Sequence, residues 1–189
     1  GYCEGYALAN VNSVNITVRG VGGHGAYPQT TKDPIVIASQ IILALQTIVS
    51  RENSPLDPAV VTVGSISGGT KHNIIPDEVK LQLTVRTYKE EVRQKVLSAI
   101  ERISQGIGIA AGLPKDRLPI VEVVETEFTP ATYNNPALTK RIVGVFEQTL
   151  GKENVVATDP VMGGEDFGRF SQNQEIPGFI FWLGAVDPV

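Results

Sequence analysis

Residues 78–86 alternate without a break, with Val79, Leu81, Leu83 and Val85 on one side and Glu78, Lys80, Gln82, Thr84 and Arg86 on the other. Only an extended strand places every second residue on one face. With one face apolar and the other polar, such a strand belongs in an antiparallel sheet that is buried on one side and wetted or partner-facing on the other.

Residues 12–19 repeat the pattern, Val14, Ile16 and Val18 alternating with Asn15, Thr17 and Arg19, and Val-rich residues 59–66 and residues 120–125 read as two further strands. Helices are predicted between them. Asp33-Pro34 is an N-cap with proline at the first helical position, opening a helix that runs to about Val49. Ala38, Ile41, Ile42, Leu45, Ile48 and Val49 share its inner face, while Ile37, Leu43 and Ala44 spread apolar surface to other sides. A helix of this kind needs two partners: its own sheet is one candidate and a second subunit the other. Thr87 and Glu90 form a capping-box pattern ahead of a second helix, with Val92, Val96, Ala99, Ile100, Ile103 and Ile107 inward and a stop near Gly108 to Gly112. Residues 71–77 read as a turn.

The resulting order of strand, helix, strand, strand, helix, strand is that of the ferredoxin-like unit, so the expected class is α+β, with a four-stranded antiparallel sheet and two helices. Residues 129–136 then read as a linker, residues 137–150 as a helix with Ile142, Val145, Phe146 and Leu150 inward, and Gly151 as its stop. Val155-Val156 is a short strand by pattern and residues 166–171 a short helix. The unbroken apolar run 179–186 has the signature of a strand buried on both faces. Too few strands surround it to complete a sheet, so the tail reads as part of an α/β domain.

Composition narrows the function classes. Lys and Arg number 16 against 20 Asp and Glu, a net charge of -4, which gives no basic footprint for nucleic acid or an anionic membrane. One cysteine and two histidines supply neither a disulfide framework nor a structural zinc site. No uninterrupted apolar run approaches the roughly 20 residues of a membrane span, and a soluble, cytoplasmic protein is expected. The single methionine, Met162, is internal and position 1 is glycine, so the sequence is expected to be a piece of a longer protein.

Gly20, Gly22, Gly23 and Gly25 crowd around His24. Their spacing resembles a dinucleotide fingerprint, but Tyr27-Pro28 and several further residues separate them from the next helix, which removes the helix N-terminus that should face the pyrophosphate. The same loop can instead hold the imidazole on closely approachable backbone, where it donates to a developing oxyanion; the plain alternative is a turn histidine that bonds local backbone. Asn73 offers a donor and an acceptor beside two apolar residues. Arg86 is either an exposed ion-pair partner or a fork for a substrate carboxylate. Gly163-Gly164-Glu165-Asp166-Phe167 is a turn and an acidic cap by composition, and Cys3 is an inert thiol.

Taken together, Gly22-Gly23-His24-Gly25-Ala26-Tyr27-Pro28 with Asp33-Pro34, Gly68-Gly69-Thr70 with Asn73-Ile74-Ile75-Pro76-Asp77, Val85-Arg86, Met162-Gly163-Gly164-Glu165-Asp166-Phe167, and Pro177-Gly178 with Leu183-Gly184 resemble the metal-dependent amidohydrolase and peptidase family of aminoacylase, hippurate hydrolase and glutamate carboxypeptidase, its bacterial N-acyl-amino-acid branch above all. The resemblance implies a lid or dimerisation domain at 13–128, a strip entering it at 1–12, and the C-terminal part of a catalytic domain at 129–189. It also implies a homodimer formed through the lid, acting on a small N-acyl amino acid or peptide. Two divalent ions, zinc, manganese, nickel or cobalt, are implied for the whole enzyme; no metal ligand and no general base fall in this chain. By the same carry-over His24 stabilises the oxyanion from the facing subunit, Asn73 helps bind substrate, Arg86 holds its carboxylate, and Gly164 and Glu165 line the site. Gln29 departs from many members of the branch, which leaves the substrate subset open. The competing expectation is a non-catalytic dimerisation or interaction module.

Overall fold

A computed structural model describes residues 1–171 and 174–185. In chain order its elements are β1 (Gly5–Leu8), β2 (Asn10–Arg19), β3 (Gly23–His24), α1 (Pro34–Thr47), β4 (Ala59–Ser67), β5 (Ile74–Ile75), β6 (Glu78–Thr87), α2 (Glu90–Ala110), β7 (Ile120–Val123), β8 (Thr132–Asn134) and α3 (Pro136–Leu150), with short 3-10 turns between several of them. They fall into two compact units, Asn12–Phe128 and Gly1–Val11 with the residues from Thr129 onward.

In the unit Asn12–Phe128 the sheet order is β4-β6-β2-β7, the ferredoxin-like arrangement expected from the element order. β4 pairs antiparallel with β6, and β2 with β7. The alternation on β6 is realised residue by residue, Val79, Leu81, Leu83 and Val85 buried and Glu78, Lys80 and Gln82 exposed. Val14, Ile16 and Val18 join them, and Ile37, Ala38, Ile41 and Leu45 of α1 and Val96, Ala99 and Ile100 of α2 pack against this layer. Each fully buried Val, Leu or Ile contributes about 1.5–3 kcal/mol relative to exposure, so this layer is the unit's main stabilising term.

Asp33 caps α1 as expected, its Oδ1 accepting from the Ile35 amide at 2.9 Å. The inner face differs from the sequence reading at two positions. Ile37 is 3% exposed and belongs to the core, whereas Val49, in the π-type turn Ile48–Glu52 that follows the helix, is 39% exposed. Leu43, at 72% exposed, and Val36 lie on the outer side. The stretch Pro34–Glu52 is also apolar enough by length and composition to cross a membrane, its most apolar 18-residue window having a mean hydropathy of 1.5. Its inner face is engaged with the sheet instead.

The capping box expected at Thr87 and Glu90 does not form. Thr87 is the buried last residue of β6, so Lys89 becomes the N-cap, without a side-chain hydrogen bond. Glu90 instead accepts from Arg93 at 2.8 Å and from Gln94 at 2.7 Å. Arg93 itself is buried: its Nε donates to Asn12 Oδ1 at 2.8 Å and its guanidinium lies 4.4 Å from the Phe128 ring centroid. α2 ends at Ala110, within the stop expected over residues 108–112.

In the other unit β1 pairs antiparallel with β8. Residues 132–134, read from sequence as linker, are therefore a buried strand, and Asn135 caps α3 by accepting from the Leu138 amide at 3.0 Å. Thr139 and Val143 are the buried residues of α3; of the expected inner face, Ile142 and Phe146 are half-buried, Phe146 against Phe179 and Phe181, while Val145 and Leu150 point to solvent. Val155-Val156 forms no strand; a lone parallel bridge joins Tyr2 and Ala157 instead. A 3-10 turn occupies Asp166–Ser171 as expected.

The run 179–185 is not a strand buried on both faces. Residues Phe181, Trp182 and Leu183 are exposed, Leu183 at 77%. Backbone bonds between Trp182 and Gly1 and the side chain of Asn134 on Ile180 hold the run in place; Phe146 of α3 packs on Phe179 and Phe181, and Ile180 on Cys3, Ala7 and Leu8, which covers the run only in part. The predicted end of this strand, Val186, lies outside the described residues. Cys3 is buried, and burial pushes its thiol above the usual range, which keeps it protonated and unreactive at neutral pH.

Candidate functional site

The Gly20–Gly25 loop and the segment after Thr70 form one structure. β3 and β5 pair antiparallel as a two-rung ladder, Gly23 opposite Ile75 and His24 opposite Ile74. The Gly25 amide extends it, donating to the Asn73 carbonyl at 2.8 Å. At the other end Asp77 takes two donors: Gly20 N–H to its carbonyl at 2.7 Å and Gly22 N–H to its Oδ1 at 2.9 Å. Close approach explains the glycine at position 22, since a Cβ there would sit 2.7 Å from the Ile75 carbonyl oxygen.

With the Gly20 and Gly22 amides committed to Asp77, the loop has no free cradle for a pyrophosphate there. The dinucleotide resemblance is thus a coincidence of spacing.

His24 begins a turn in which the Tyr27 amide donates to its carbonyl at 2.9 Å. Its side chain folds over the same turn, and Nδ1 accepts from the Ala26 amide at 3.1 Å. An accepting Nδ1 carries no proton in the neutral ring, so the proton resides on Nε2 and that nitrogen is a donor. The Tyr27 ring lies beside the imidazole, centroids 5.9 Å apart. Both His24 and Asn73 are exposed and leave the ladder next to each other.

Arg86 lies elsewhere. It sits opposite Val60 near the far end of β6, whose first residue, Glu78, follows directly on Asp77. The register break in this pair falls in β4, between Val63 and Ser65, so β6 is continuous. At about 3.3 Å per residue, Arg86 lies roughly 25 Å along the strand from the end that carries the His24 ladder.

Gly164 and Glu165 belong to the other unit. The Ala9 amide donates to the Gly163 carbonyl at 2.9 Å, and a Cβ on Gly164 would collide with the Val11 side chain, so the loop needs glycine there. Glu165 is exposed, its Oε1 accepting from the Asp166 amide at 2.9 Å.

Sequence reasoning singled out His24 and Asn73 but passed over Asp77 and the Ala26 amide, which hold them. A glycine-dense loop is visible in sequence; its pairing to a segment some 50 residues later leaves no periodic trace. Among the described residues no group of three or more His, Cys, Asp or Glu side chains is placed to hold a metal ion. The donor set present therefore does not fit a metal centre.

Comparison with known proteins gives this geometry a context. Residues 6–110, more than half the chain, match the peptidase dimerisation domain. The N-acetyldiaminopimelate deacetylase of Anoxybacillus flavithermus is 39% identical over 188 residues, covering 98% of this chain and 47% of the deacetylase. An aminohydrolase structure from methicillin-resistant Staphylococcus aureus superposes with a TM-score of 0.75 at 30% identity, covering 91% of this chain and 43% of that one. The Bacillus subtilis YxeP protein, a dinuclear metal-binding peptidase of the M20 family, does so with a TM-score of 0.69 at 27% identity, over 95% and 42% of the two chains. The chain thus spans about half the length of the curated relatives it matches. It belongs to the M20 family of peptidases and amidohydrolases and carries that family's dimerisation domain.

Proposed function

We propose that this chain is the lid and C-terminal catalytic portion of a homodimeric amidohydrolase that cleaves the amide bond of N-acyl amino acids or short peptides. The observation that carries the reading is the state of His24. Its Nδ1 is occupied by the Ala26 amide, which leaves an exposed Nε2–H beside Asn73. A neutral imidazole held this way donates a hydrogen bond to an amide oxygen as negative charge builds on it, which is the task of an oxyanion donor. Asn73, with one donor and one acceptor, suits the amide group of the same substrate. Arg86 suits a terminal carboxylate, which its planar fork binds through two parallel bonds.

Distance divides these roles between two subunits. An N-acyl amino acid is on the order of 10 Å long, and the strand separates Arg86 from the His24 ladder by roughly 25 Å. One lid cannot put both on one substrate, so each site takes His24 and Asn73 from one protomer and Arg86 from the other. The exposed apolar outer side of α1, with Leu43 and Val36, supports a dimer contact next to this sheet. Gly164 and Glu165 are proposed to contact the substrate as well.

A dinuclear metal centre of the kind named for the Bacillus subtilis protein would take its ligands from residues outside those described. The name of the Anoxybacillus relative favours an N-acetylated amino acid over a longer acyl chain as substrate. The reading is tested by release of acetate from N-acetyl amino acids by the full-length, metal-loaded enzyme. Asn73→Ala is expected to lower turnover and Arg86→Ala to raise KM selectively for substrates with a free carboxylate. Equal KM for a carboxylate substrate and its amide in the parent enzyme would contradict the assignment of Arg86.

A further inference from the structure

We infer that Asp77 is a positioning residue for His24, acting through the Gly22 amide and the β3–β5 ladder rather than by touching substrate. The hairpin that carries His24 is short. Among the described residues, two paired rungs and the Gly25 bond to Asn73 join it to β5, and β3 is only two residues long. An isolated ladder of this size is marginal in water and needs bracing. Asp77 braces it at the point where both segments enter the sheet. Its carbonyl takes the Gly20 amide where the chain leaves β2, and its Oδ1 takes the Gly22 amide one residue before β3.

The loop is anchored from its other side as well. Arg117 donates to the Gly20 carbonyl, and Val21 and Lys32 exchange backbone bonds at 2.9 and 3.0 Å. What remains to be fixed is the stretch from Gly22 to Ala26, and within it only Asp77 supplies a side-chain bond from across the ladder among the described residues. The Ala26 amide then sets the ring of His24. Loss of the Asp77 oxygen frees Gly22, loosens the rungs, and lets the turn that presents the Ala26 amide to Nδ1 open. The catalytic consequence rests on the oxyanion role proposed for His24; the positioning does not.

The test uses Asp77→Ala and Asp77→Asn in the 189-residue chain, followed by amide NMR, and the same two variants in the full-length enzyme. Asparagine keeps an oxygen at Oδ1 and alanine does not. In the chain, Asp77→Ala is expected to speed hydrogen exchange at Gly22 and Gly25 by up to about tenfold, the scale of one lost hydrogen bond. The Ala26 amide resonance should also move toward its unbonded position. Asp77→Asn should retain most of the protection and the Ala26 shift. Unchanged exchange and an unchanged Ala26 resonance in Asp77→Ala would overturn the inference, as would Asp77→Asn behaving like Asp77→Ala while β6 stays protected. In the enzyme, Asp77→Ala should lower kcat by about tenfold or more with KM little altered, since misplacing a group by about 1 Å costs up to 10²-fold. If the amide signals change and kcat does not, Asp77 still positions the ring and it is the oxyanion role of His24 that fails.

Discussion

The Ala26 amide donates to Nδ1 of His24 at 3.1 Å, which makes the outward nitrogen of that imidazole a donor. The ladder below places the ring next to Asn73, whose carbonyl receives the Gly25 amide. The arrangement is built for presenting N–H groups to an oxygen, and that is the property the first expectation examines.

In the full-length enzyme His24→Ala is expected to lower kcat by about a hundredfold, the cost of removing one oxyanion donor, with a smaller change in KM. Steady-state kinetics on an N-acetyl amino acid check this. An unchanged kcat would return His24 to the role of a turn residue that bonds local backbone.

The glycine at position 22 is required by contact. Gly22→Ala puts a Cβ 2.7 Å from the Ile75 carbonyl oxygen, so the ladder must shift to admit it. Loss of the NMR cross-peaks between β3 and β5, with the sheet resonances of β2 and β6 preserved, is the expected outcome.

Stability is expected to follow the buried layer and not the site. Leu81 is fully buried on β6, and Leu81→Ala should cost about 2–5 kcal/mol in urea unfolding, the range for removing a core leucine. Asn73→Ala, at an exposed loop position, should stay within about 0.5 kcal/mol.

A charge placed on the outer side of α1 tests the dimer contact. Leu43→Glu is expected to convert the dimer to a monomer by light scattering. Leu56→Glu, in an exposed loop, is the control and should leave the mass unchanged.

The 189-residue chain alone is expected to bind neither zinc nor manganese stoichiometrically and to release no acetate. Its described residues bring no three metal-ligating side chains together. Calorimetric titration with each metal checks the first point. Amide hydrolysis by the chain with added metal, lost on chelation, would contradict the second.

The sheet was legible wherever one residue type decided one position. The alternation of Val79 to Val85 and of Val14 to Val18 predicted both faces correctly, and Asp33-Pro34 predicted the start of α1. Local signals failed where a residue had a stronger claim elsewhere. Thr87 looks like a cap, but the core takes it as the last rung of β6. The apolar run after Gly178 looks like a doubly buried strand, yet burial depends on neighbours rather than on the run itself, and there Phe181 to Leu183 are open. At the candidate site His24 stood out because glycines surround it. Asp77 did not, because its bond to Gly22 spans 55 residues and carries no composition or period. The wide separation of Arg86 from His24 was equally invisible until the register of β6 was known.

The central claim, a site shared between two lids, is tested most directly by mixing two inactive variants. Full-length His24→Ala and Arg86→Ala enzymes are co-expressed and the mixed dimers assayed on a carboxylate substrate held well below the KM of Arg86→Ala, where each variant alone is far below the parent. Each mixed dimer holds one site with an intact His24 from one subunit and an intact Arg86 from the other, so random pairing is expected to restore about a quarter of parental activity. Activity no higher than that of the separate variants, with mixed dimers shown to form, would contradict the account.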